Sequence, residues 1–127
     1  MKIIASDYDG TLNHGGIDDE KRNAIRKWRR AGNLFGIVSG RGADSLGQLP
    51  QKNDFEYDFL IASNGAVISD EKGEILFESR CDGKLAKPLL EYIMSIGCDW
   101  ADIHTAFNCA VALSDEKGPD DELAFDT

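Results

Sequence analysis

The sequence predicts an α/β fold built around a parallel sheet. Two short apolar runs, Ile3-Ile4-Ala5 and Leu34–Val38, each lead into a turn that contains glycine, which is typical of buried strands in parallel sheets. A helical pattern separates them, and the right-handed crossover of a strand–helix–strand unit makes the two strands parallel. The 127 residues are 42% apolar, enough for one hydrophobic core.

The segment between these two strands is predicted to be an amphipathic helix. Asp18 or Asp19 can cap it, it should run to about Ala31, and Gly32 should stop it. Apolar residues recur at three- and four-residue spacing and form one stripe along it. The stripe consists of Ile17, Ala24, Ile25 and Trp28.

Shorter elements are expected after the second strand. Residues 42–52 predict a short helix or turn that ends near Pro50. A third strand is predicted over Phe59–Ala62. Two further runs, Ala66-Val67-Ile68 and Ile75-Leu76-Phe77, flank a turn and indicate a hairpin.

The C-terminal third predicts one more helix and one more strand. Apolar residues between Lys84 and Ile96 have helical spacing, and Gly97 should end the helix. Because proline is favoured in the first turn of a helix, we expect the helix proper to start close to Pro88. A strand is expected over 107–113, followed by an acidic tail.

Composition argues against several classes of protein. The net charge is −9, and residues 114–127 alone contribute −5, which disfavours nucleic acid as a partner. No apolar run has the length of a membrane span, and no leader opens the chain, so we expect a soluble, cytoplasmic protein. Cys81, Cys98 and Cys109 have no metal-binding spacing and are expected to be reduced, partly buried thiols without a catalytic role.

Two carboxylates, Asp7 and Asp9, directly follow the first strand, in the string Asp-Tyr-Asp-Gly-Thr. Ligands of open α/β sheets bind beyond the carboxyl ends of the strands, where this string lies. Neither carboxylate has a basic neighbour in sequence, and a hard cation with oxygen ligands, Mg²⁺, would compensate both charges. The alternative interpretation is a solvated turn, because Asp and Gly are ordinary turn residues.

Three segments resemble those of one protein family. Asp7-Tyr8-Asp9-Gly10-Thr11-Leu12 resembles the first motif of the haloacid dehalogenase (HAD) superfamily, and Ser39-Gly40-Arg41 after the second strand resembles its second motif in the form found in the Cof-like branch (subfamily IIB). Asn64-Gly65-Ala66 is similar to a segment that follows in that branch. The resemblance implies a Rossmann-like core, incomplete here, over residues 1–81 and the beginning of an α+β cap domain over 82–127.

The resemblance also implies a reaction: Mg²⁺-dependent hydrolysis of a small phosphorylated metabolite. Asp7 matches the nucleophile, which forms an aspartyl-phosphate, and Asp9 matches the acid–base residue. The Asp7 side chain and the Asp9 backbone carbonyl would bind Mg²⁺. The Ser39 hydroxyl and the Gly40 N–H would hold a phosphoryl oxygen. Sugar phosphates, nucleotides and pyridoxal phosphate are the substrates implied for the branch.

Other polar residues keep two interpretations each. Arg41 is expected either to reach a substrate anion or to pair with a surface carboxylate. Asn64 either shapes the rim of the site or simply forms a turn. His14 lies near the site but suits an ordinary polar loop, and His104 has no evident partner.

The superfamily has two further motifs, a lysine and an acidic pair, which in Cof-like proteins follow the cap. No residue here matches them: Lys84, Lys87, Lys117 and the Asp120-Asp121-Glu122 run lie in the expected cap. The chain is therefore expected to be either the N-terminal part of a longer phosphatase or a shortened, non-catalytic domain that binds phosphate or a protein partner. We favour the first because both Asp7 and Asp9 are retained. On either interpretation, the 127-residue chain alone is expected to be a poor phosphatase.

Overall fold

The computed structural model describes residues 1–104 and 109–114. The strands are β1 (Ile3–Asp7), β2 (Leu34–Val38), β3 (Phe59–Ala62), β4 (Val67–Asp70), β5 (Ile75–Glu78), β6 (Trp100–His104) and β7 (Cys109–Ser114). The helices are α1 (Asp19–Arg30), α2 (Ala43–Gly47), α3 (Leu49–Asn53) and α4 (Gly83–Ser95), with a 3₁₀ turn at Ser63–Gly65.

Five strands form one sheet in the order β1-β2-β3-β4-β5. The first three are parallel, and β4 and β5 continue the sheet as an antiparallel hairpin. The predicted α/β class, with its parallel first strands, is confirmed. Because Asp7 pairs with Val38 and Val38 pairs with Ile61, the first three strands end at the same edge of the sheet.

Helix α1 makes the crossover between β1 and β2. The Asp18 carboxylate caps it by accepting the Lys21 N–H at 2.9 Å, as one of the two predicted caps. Ile25 of this helix is buried, and the indole N–H of Trp28 donates to the Leu34 carbonyl at 2.9 Å. Ile25 and Trp28 thus pack α1 on the strand that follows it, whereas Ala24, which was predicted to belong to the same apolar stripe, is exposed.

Most of the described core lies between the sheet and the helices of the first 70 residues. Ile37 and Leu46 are completely buried. The other buried apolar side chains of this region are Tyr8, Ile17, Ile25, Phe35, Leu49, Phe55, Leu60, Ala62 and Val67.

Two of the sequence predictions about helices are wrong in detail. The segment 42–52 forms two short helices, and Pro50 lies in the first turn of α3 instead of ending a helix. Helix α4 begins at Gly83, five residues before Pro88, so Pro88 lies inside it. The Asp82 carboxylate accepts the Lys84 N–H at 3.0 Å, and this cap fixes the start of the helix earlier than the proline does.

Strand β6 was not anticipated from the sequence. It pairs with β7 in an antiparallel hairpin. The strand expected over 107–113 is present from Cys109, whereas 105–108 and the acidic tail after Ser114 lie outside the described residues.

The chain divides into two compact units, Met1–Ser79 and Arg80–Thr127. The first contains the five-stranded sheet with α1–α3, and the second contains α4 and the β6–β7 hairpin. Within the described residues, no helix combines the length and apolar character needed to cross a membrane.

Candidate functional site

Three loops meet where the parallel strands end. Asp7 is the last residue of β1, and Ser39 follows the last residue of β2. The Ser39 N–H donates to the Ile61 carbonyl of β3 at 2.9 Å. This parallel register brings the loops after β1, β2 and β3 to a common edge, where ligands of open α/β sheets bind.

The loop after β1 fixes one oxygen of Asp7 and leaves the other open. The Tyr8 carbonyl accepts the Asn13 N–H at 2.9 Å and so closes the loop, with Gly10 at a φ of 78°. The Thr11 hydroxyl donates to Asp7 Oδ2 at 2.8 Å. Within the described residues, Asp7 Oδ1 accepts no hydrogen bond, so it remains available as a nucleophile or ligand.

Tyr8 anchors this loop from below. Its side chain is 1% exposed, and its ring stacks on Phe55 with centroids 6.4 Å apart. Its hydroxyl accepts the Asn53 side-chain N–H at 2.8 Å. Tyr8 lies between Asp7 and Asp9 in the sequence. Because Tyr8 is buried, the two aspartates stay on the solvent side of the same turn.

The loop after β2 presents a hydroxyl donor. Ser39 is nearly buried, at 8% exposure, and its Oγ accepts the Arg41 N–H at 3.1 Å. Because the oxygen takes that bond as an acceptor, the hydroxyl proton stays free to donate to an anion. The next position is tight, since a Cβ on Gly40 would lie 3.0 Å from Asn64 Oδ1 and would push that side chain aside.

The loop after β3 is tied to the Ser39 loop through the backbone. The Ser63 N–H donates to the Arg41 carbonyl at 2.8 Å, and the Asn64 N–H donates to the Ser39 carbonyl at 3.3 Å. Ser63 and Asn64 both have left-handed backbone, with φ of 50° and 55°. Such conformations persist only where the surroundings enforce them, and here they let Asn64 support the loop that holds Ser39.

Arg41 pairs with Asp9. Its Nε and Nη2 donate to Asp9 Oδ2 and Oδ1, both at 2.7 Å, and its guanidinium carbon lies 5.9 Å from the centre of the Tyr8 ring. The Arg41 hydrogen bonds hold the pKa of Asp9 below its usual value of 3.8, and Asp9 in turn raises the pKa of Arg41. Of the two interpretations of Arg41, carboxylate pairing is confirmed, although its partner is a candidate catalytic group. Contact with a substrate anion stays a prediction.

The oxygen atoms present fit part of a magnesium site. Asp7 Oδ1 is open, and within the described residues the Asp9 carbonyl oxygen accepts no hydrogen bond. The same part of the chain contains no cluster of three or more His, Cys, Asp or Glu residues able to hold a metal. Mg²⁺ often takes only one or two protein oxygens and completes its shell with water and phosphate, so two oxygens suit it.

His14 belongs to the loop after β1, whereas His104 and the three cysteines belong to the second unit. His14 is exposed and makes no hydrogen bond within the described residues. The side chain of His104 lies outside them, as does that of Cys109. Neither Cys81 nor Cys98 forms a disulfide, and Cys98 is half-buried as expected, but Cys81 is exposed, so its expected partial burial is wrong.

Two concavities, of about 460 and 520 Å³, lie away from the aspartates. The second is bordered by Leu34 and Asp58, where β2 and β3 begin, at the opposite edge from Asp7. The first is bordered by Arg29 and Phe55. Asp7 and Asp9 are themselves exposed, so the candidate site is open at the surface of this unit.

The sequence motifs brought Asp7, Asp9, Ser39, Gly40, Arg41 and Asn64 to attention, and the structure places all six at one edge. Three supporting residues were not assigned from the sequence: Thr11, Tyr8 and Asn53. Thr11 and Tyr8 lie within the first motif, so the motif itself carried their signal. Asn53 carried none, because its contact with Tyr8 joins residues 45 positions apart.

Comparisons with known proteins identify the family and agree with the fold. The sequence profile of the haloacid dehalogenase-like hydrolases matches residues 4–115. Phosphatase YwpJ of Bacillus subtilis is 31% identical over 97 residues, which are 75% of this chain and 34% of that protein. A structure of a haloacid dehalogenase-like hydrolase from B. subtilis has a TM-score of 0.75 and 26% identity, and covers 93% of this chain and 40% of its own.

A more distant structural match is the subclass IIB sugar phosphatase BT4131. It has a TM-score of 0.64 at 23% identity, with 86% of this chain and 43% of that chain covered. The chain thus spans more than one third but less than one half of the length of each of these relatives. The profile match covers most of the sequence, and the Rossmann-like sheet is that of its structural neighbours. The chain belongs to the haloacid dehalogenase-like hydrolase family, as its motifs predicted.

Proposed function

We propose that this chain carries the nucleophile, the acid–base group and the phosphate-binding loop of a Mg²⁺-dependent phosphatase that acts on a small phosphorylated metabolite. The observation that carries the proposal is the meeting of Asp7 and Ser39 at adjoining strand ends, with one Asp7 oxygen held by Thr11 and the other open. Similarity to a protein named a phosphatase supports it.

In the proposed first step, a carboxylate oxygen of Asp7 attacks phosphorus. A bond forms between them, the bond from phosphorus to the ester oxygen breaks, and Asp9 gives its proton to the departing alkoxide. The Ser39 hydroxyl and the Gly40 N–H donate to phosphoryl oxygens and fix the phosphorus in line with Asp7. The product of this step is an aspartyl-phosphate and a free alcohol.

The second step regenerates the site. Asp9, now a carboxylate, takes a proton from a water molecule whose oxygen attacks phosphorus. The bond from phosphorus to Asp7 breaks, which releases inorganic phosphate and restores both aspartates to their starting protonation. Mg²⁺ held by Asp7 and the Asp9 carbonyl would offset the repulsion between the carboxylate and the anionic phosphate.

The test is capture of trifluoroberyllate, which mimics a phosphoryl group on a carboxylate, by the 127-residue chain. Binding is chosen over turnover because the chain spans about a third of the phosphatase it matches. We expect saturable, Mg²⁺-dependent capture by ¹⁹F NMR, and its loss in Asp7→Asn. Asp44→Asn removes an equal charge from an exposed helical position and should leave capture intact. Capture that does not need Mg²⁺, or that survives Asp7→Asn, would contradict the proposal.

The exposed β1 strand favours a second candidate, a non-catalytic domain that binds a protein partner. Ile3 and Ile4 are 61% and 42% exposed, although strands of parallel sheets are usually covered on both faces. Under this candidate the chain would capture no trifluoroberyllate while still folding, so the same experiment separates the two.

A further inference from the structure

The ion pair between Arg41 and Asp9 conflicts with the role proposed for Asp9. A group that protonates a leaving oxygen needs at least one carboxyl oxygen directed at it. Both Asp9 oxygens instead accept hydrogen bonds from the Arg41 guanidinium at 2.7 Å. In the arrangement seen here both Asp9 oxygens are directed at Arg41, so a leaving oxygen would have to compete with the guanidinium for them.

The backbone and the side chain of Arg41 are constrained differently. Its N–H donates to Ser39 Oγ at 3.1 Å, and its carbonyl accepts the Ser63 N–H at 2.8 Å. Its side chain, in contrast, is 42% exposed, and the Asp9 side chain is 51% exposed. The guanidinium can thus change partners by rotation of side-chain bonds while the loop that carries Ser39 stays in place.

A phosphoryl group at Ser39 would compete for this guanidinium. Ser39 is two residues from Arg41 and its hydroxyl oxygen accepts the Arg41 N–H, so an anion on this hydroxyl would lie within reach of the long arginine side chain once its bonds rotate. Guanidinium groups bind phosphate through two parallel hydrogen bonds, and phosphate carries more charge than a carboxylate. An exposed ion pair is also held only weakly.

We propose that Arg41 exchanges partners, pairing with Asp9 in the free site and with the phosphoryl group when substrate binds. This inference rests on the proposed function. Substrate binding then releases Asp9 for proton transfer, and Arg41 acts as a positioning residue for Asp9 as well as a phosphate ligand. Without a phosphate, Asp9 stays paired.

Under this exchange, Asp9 competes with phosphate for the Arg41 guanidinium. Removing that competitor should strengthen phosphate binding, but only while Arg41 is present to benefit. Loss of a negative charge by itself would strengthen binding whether or not Arg41 is there. Comparing Asp9→Asn in the two backgrounds separates these effects.

The experiment measures the affinity of the 127-residue chain for inorganic phosphate by NMR titration in wild type, Asp9→Asn, Arg41→Gln and the double variant. Asp9→Asn should bind phosphate about two- to fivefold more tightly, the range expected for loss of an exposed ion pair. Arg41→Gln should bind several-fold more weakly, and the gain from Asp9→Asn should disappear in that background. The wild-type Arg41 Nε–H resonance should shift during the titration.

Two controls guard against trivial explanations. Arg30→Gln removes the same charge from an exposed position on α1 and should leave phosphate affinity unchanged. Arg41→Lys keeps the charge without the two parallel hydrogen bonds, and should bind phosphate with an affinity between those of wild type and Arg41→Gln. Circular dichroism verifies that each variant folds.

The outcomes distinguish this inference from the proposed function. An equal gain from Asp9→Asn in both backgrounds, or an Arg41→Gln affinity equal to wild type, would overturn the exchange even if Asp7-dependent trifluoroberyllate capture persists. Absence of both phosphate binding and capture in the wild-type chain would overturn the two together.

Discussion

Gly36 lies in the middle of the sheet because a neighbouring ring occupies the place of its side chain. It pairs with Phe59 across β2 and β3, and a Cβ built on Gly36 would overlap the Phe59 ring. Its backbone conformation is not the left-handed one that favours glycine. The requirement for glycine at this position is thus steric and comes from the adjacent strand.

We therefore expect Gly36→Ala to lower the free energy of unfolding by about 1–3 kcal/mol, the usual cost of overpacking a core. Urea denaturation followed by circular dichroism measures it. Gly47→Ala is the matched control, because its nearest contact, Leu60 Cδ1 at 3.9 Å, leaves ordinary room for a methyl group. A loss of stability as large in Gly47→Ala as in Gly36→Ala would contradict the steric explanation.

Residues of the candidate site differ in how well a sequence can reveal them. Asp7 and Ser39 follow recognisable strands, so their convergence is predictable from parallel pairing alone. The pair formed by Arg41 and Asp9 joins residues 32 positions apart and depends on which way two exposed side chains turn. No local pattern encodes that choice, which explains why the sequence left two interpretations of Arg41.

At the scale of elements, Asp58 connects the start of the sheet with the end of α1. Its carboxylate accepts two hydrogen bonds from Arg29, at 2.8 and 3.1 Å, and one from the Phe35 N–H at 2.9 Å. These hydrogen bonds, those from Arg29 first, hold the pKa of Asp58 below its usual value of 3.8. One side chain thus joins α1, β2 and the residue before β3.

Asp58→Asn should lower the free energy of unfolding at neutral pH by about 1–2 kcal/mol, since it removes the charge from a partly exposed pair. Because the folded-state pKa is depressed, the ionised carboxylate adds stability above its usual value near 3.8. That contribution is lost as the pH falls through the folded-state pKa.

The difference between wild type and Asp58→Asn should therefore be largest near neutral pH and shrink below about pH 4. Urea denaturation at a series of pH values measures it. Glu56→Gln offers a control, because Glu56 also pairs with Arg29 but is 64% exposed, and its loss should matter far less. A difference that stays constant down to pH 2 would show that the charge of Asp58 is not responsible.

The elements that the sequence predicted well are those with a strong period. The first three strands and α1 combine apolar runs with caps or glycine stops, and their signals agree with one another. The start of helix α4 was predicted wrongly because Pro88 and Asp82 each indicate a different first turn. The hydrogen bond from the Lys84 N–H to the Asp82 carboxylate selects the earlier start, and this bond is visible only in the structure. The two short helices α2 and α3 are too brief to show a period at all.

For the whole molecule, the five-stranded sheet has one edge that is poorly protected. Strand β1 pairs with β2, and within the described residues no strand pairs with its other side. The side chains of Ile3 and Ile4 on this strand are exposed, so β1 presents apolar surface as well as an unpaired edge. The other edge, β5, pairs with β4 through an irregular register. Glu74 comes directly before β5 and Glu78 is its last residue, and these features discourage further pairing.

We therefore expect the 127-residue chain to self-associate through β1 at micromolar to millimolar concentration, as exposed apolar edges do. Sedimentation velocity should reveal an average mass that rises with concentration. Ile3→Lys places a charge on this edge and should reduce the association strongly. Leu76→Lys changes an equally exposed residue of β5, at 61% exposure, and should have little effect because that edge is already irregular and acidic. Equal effects of the two substitutions would place the association elsewhere, and a constant monomer mass at all concentrations would mean that β1 is protected in solution without a partner.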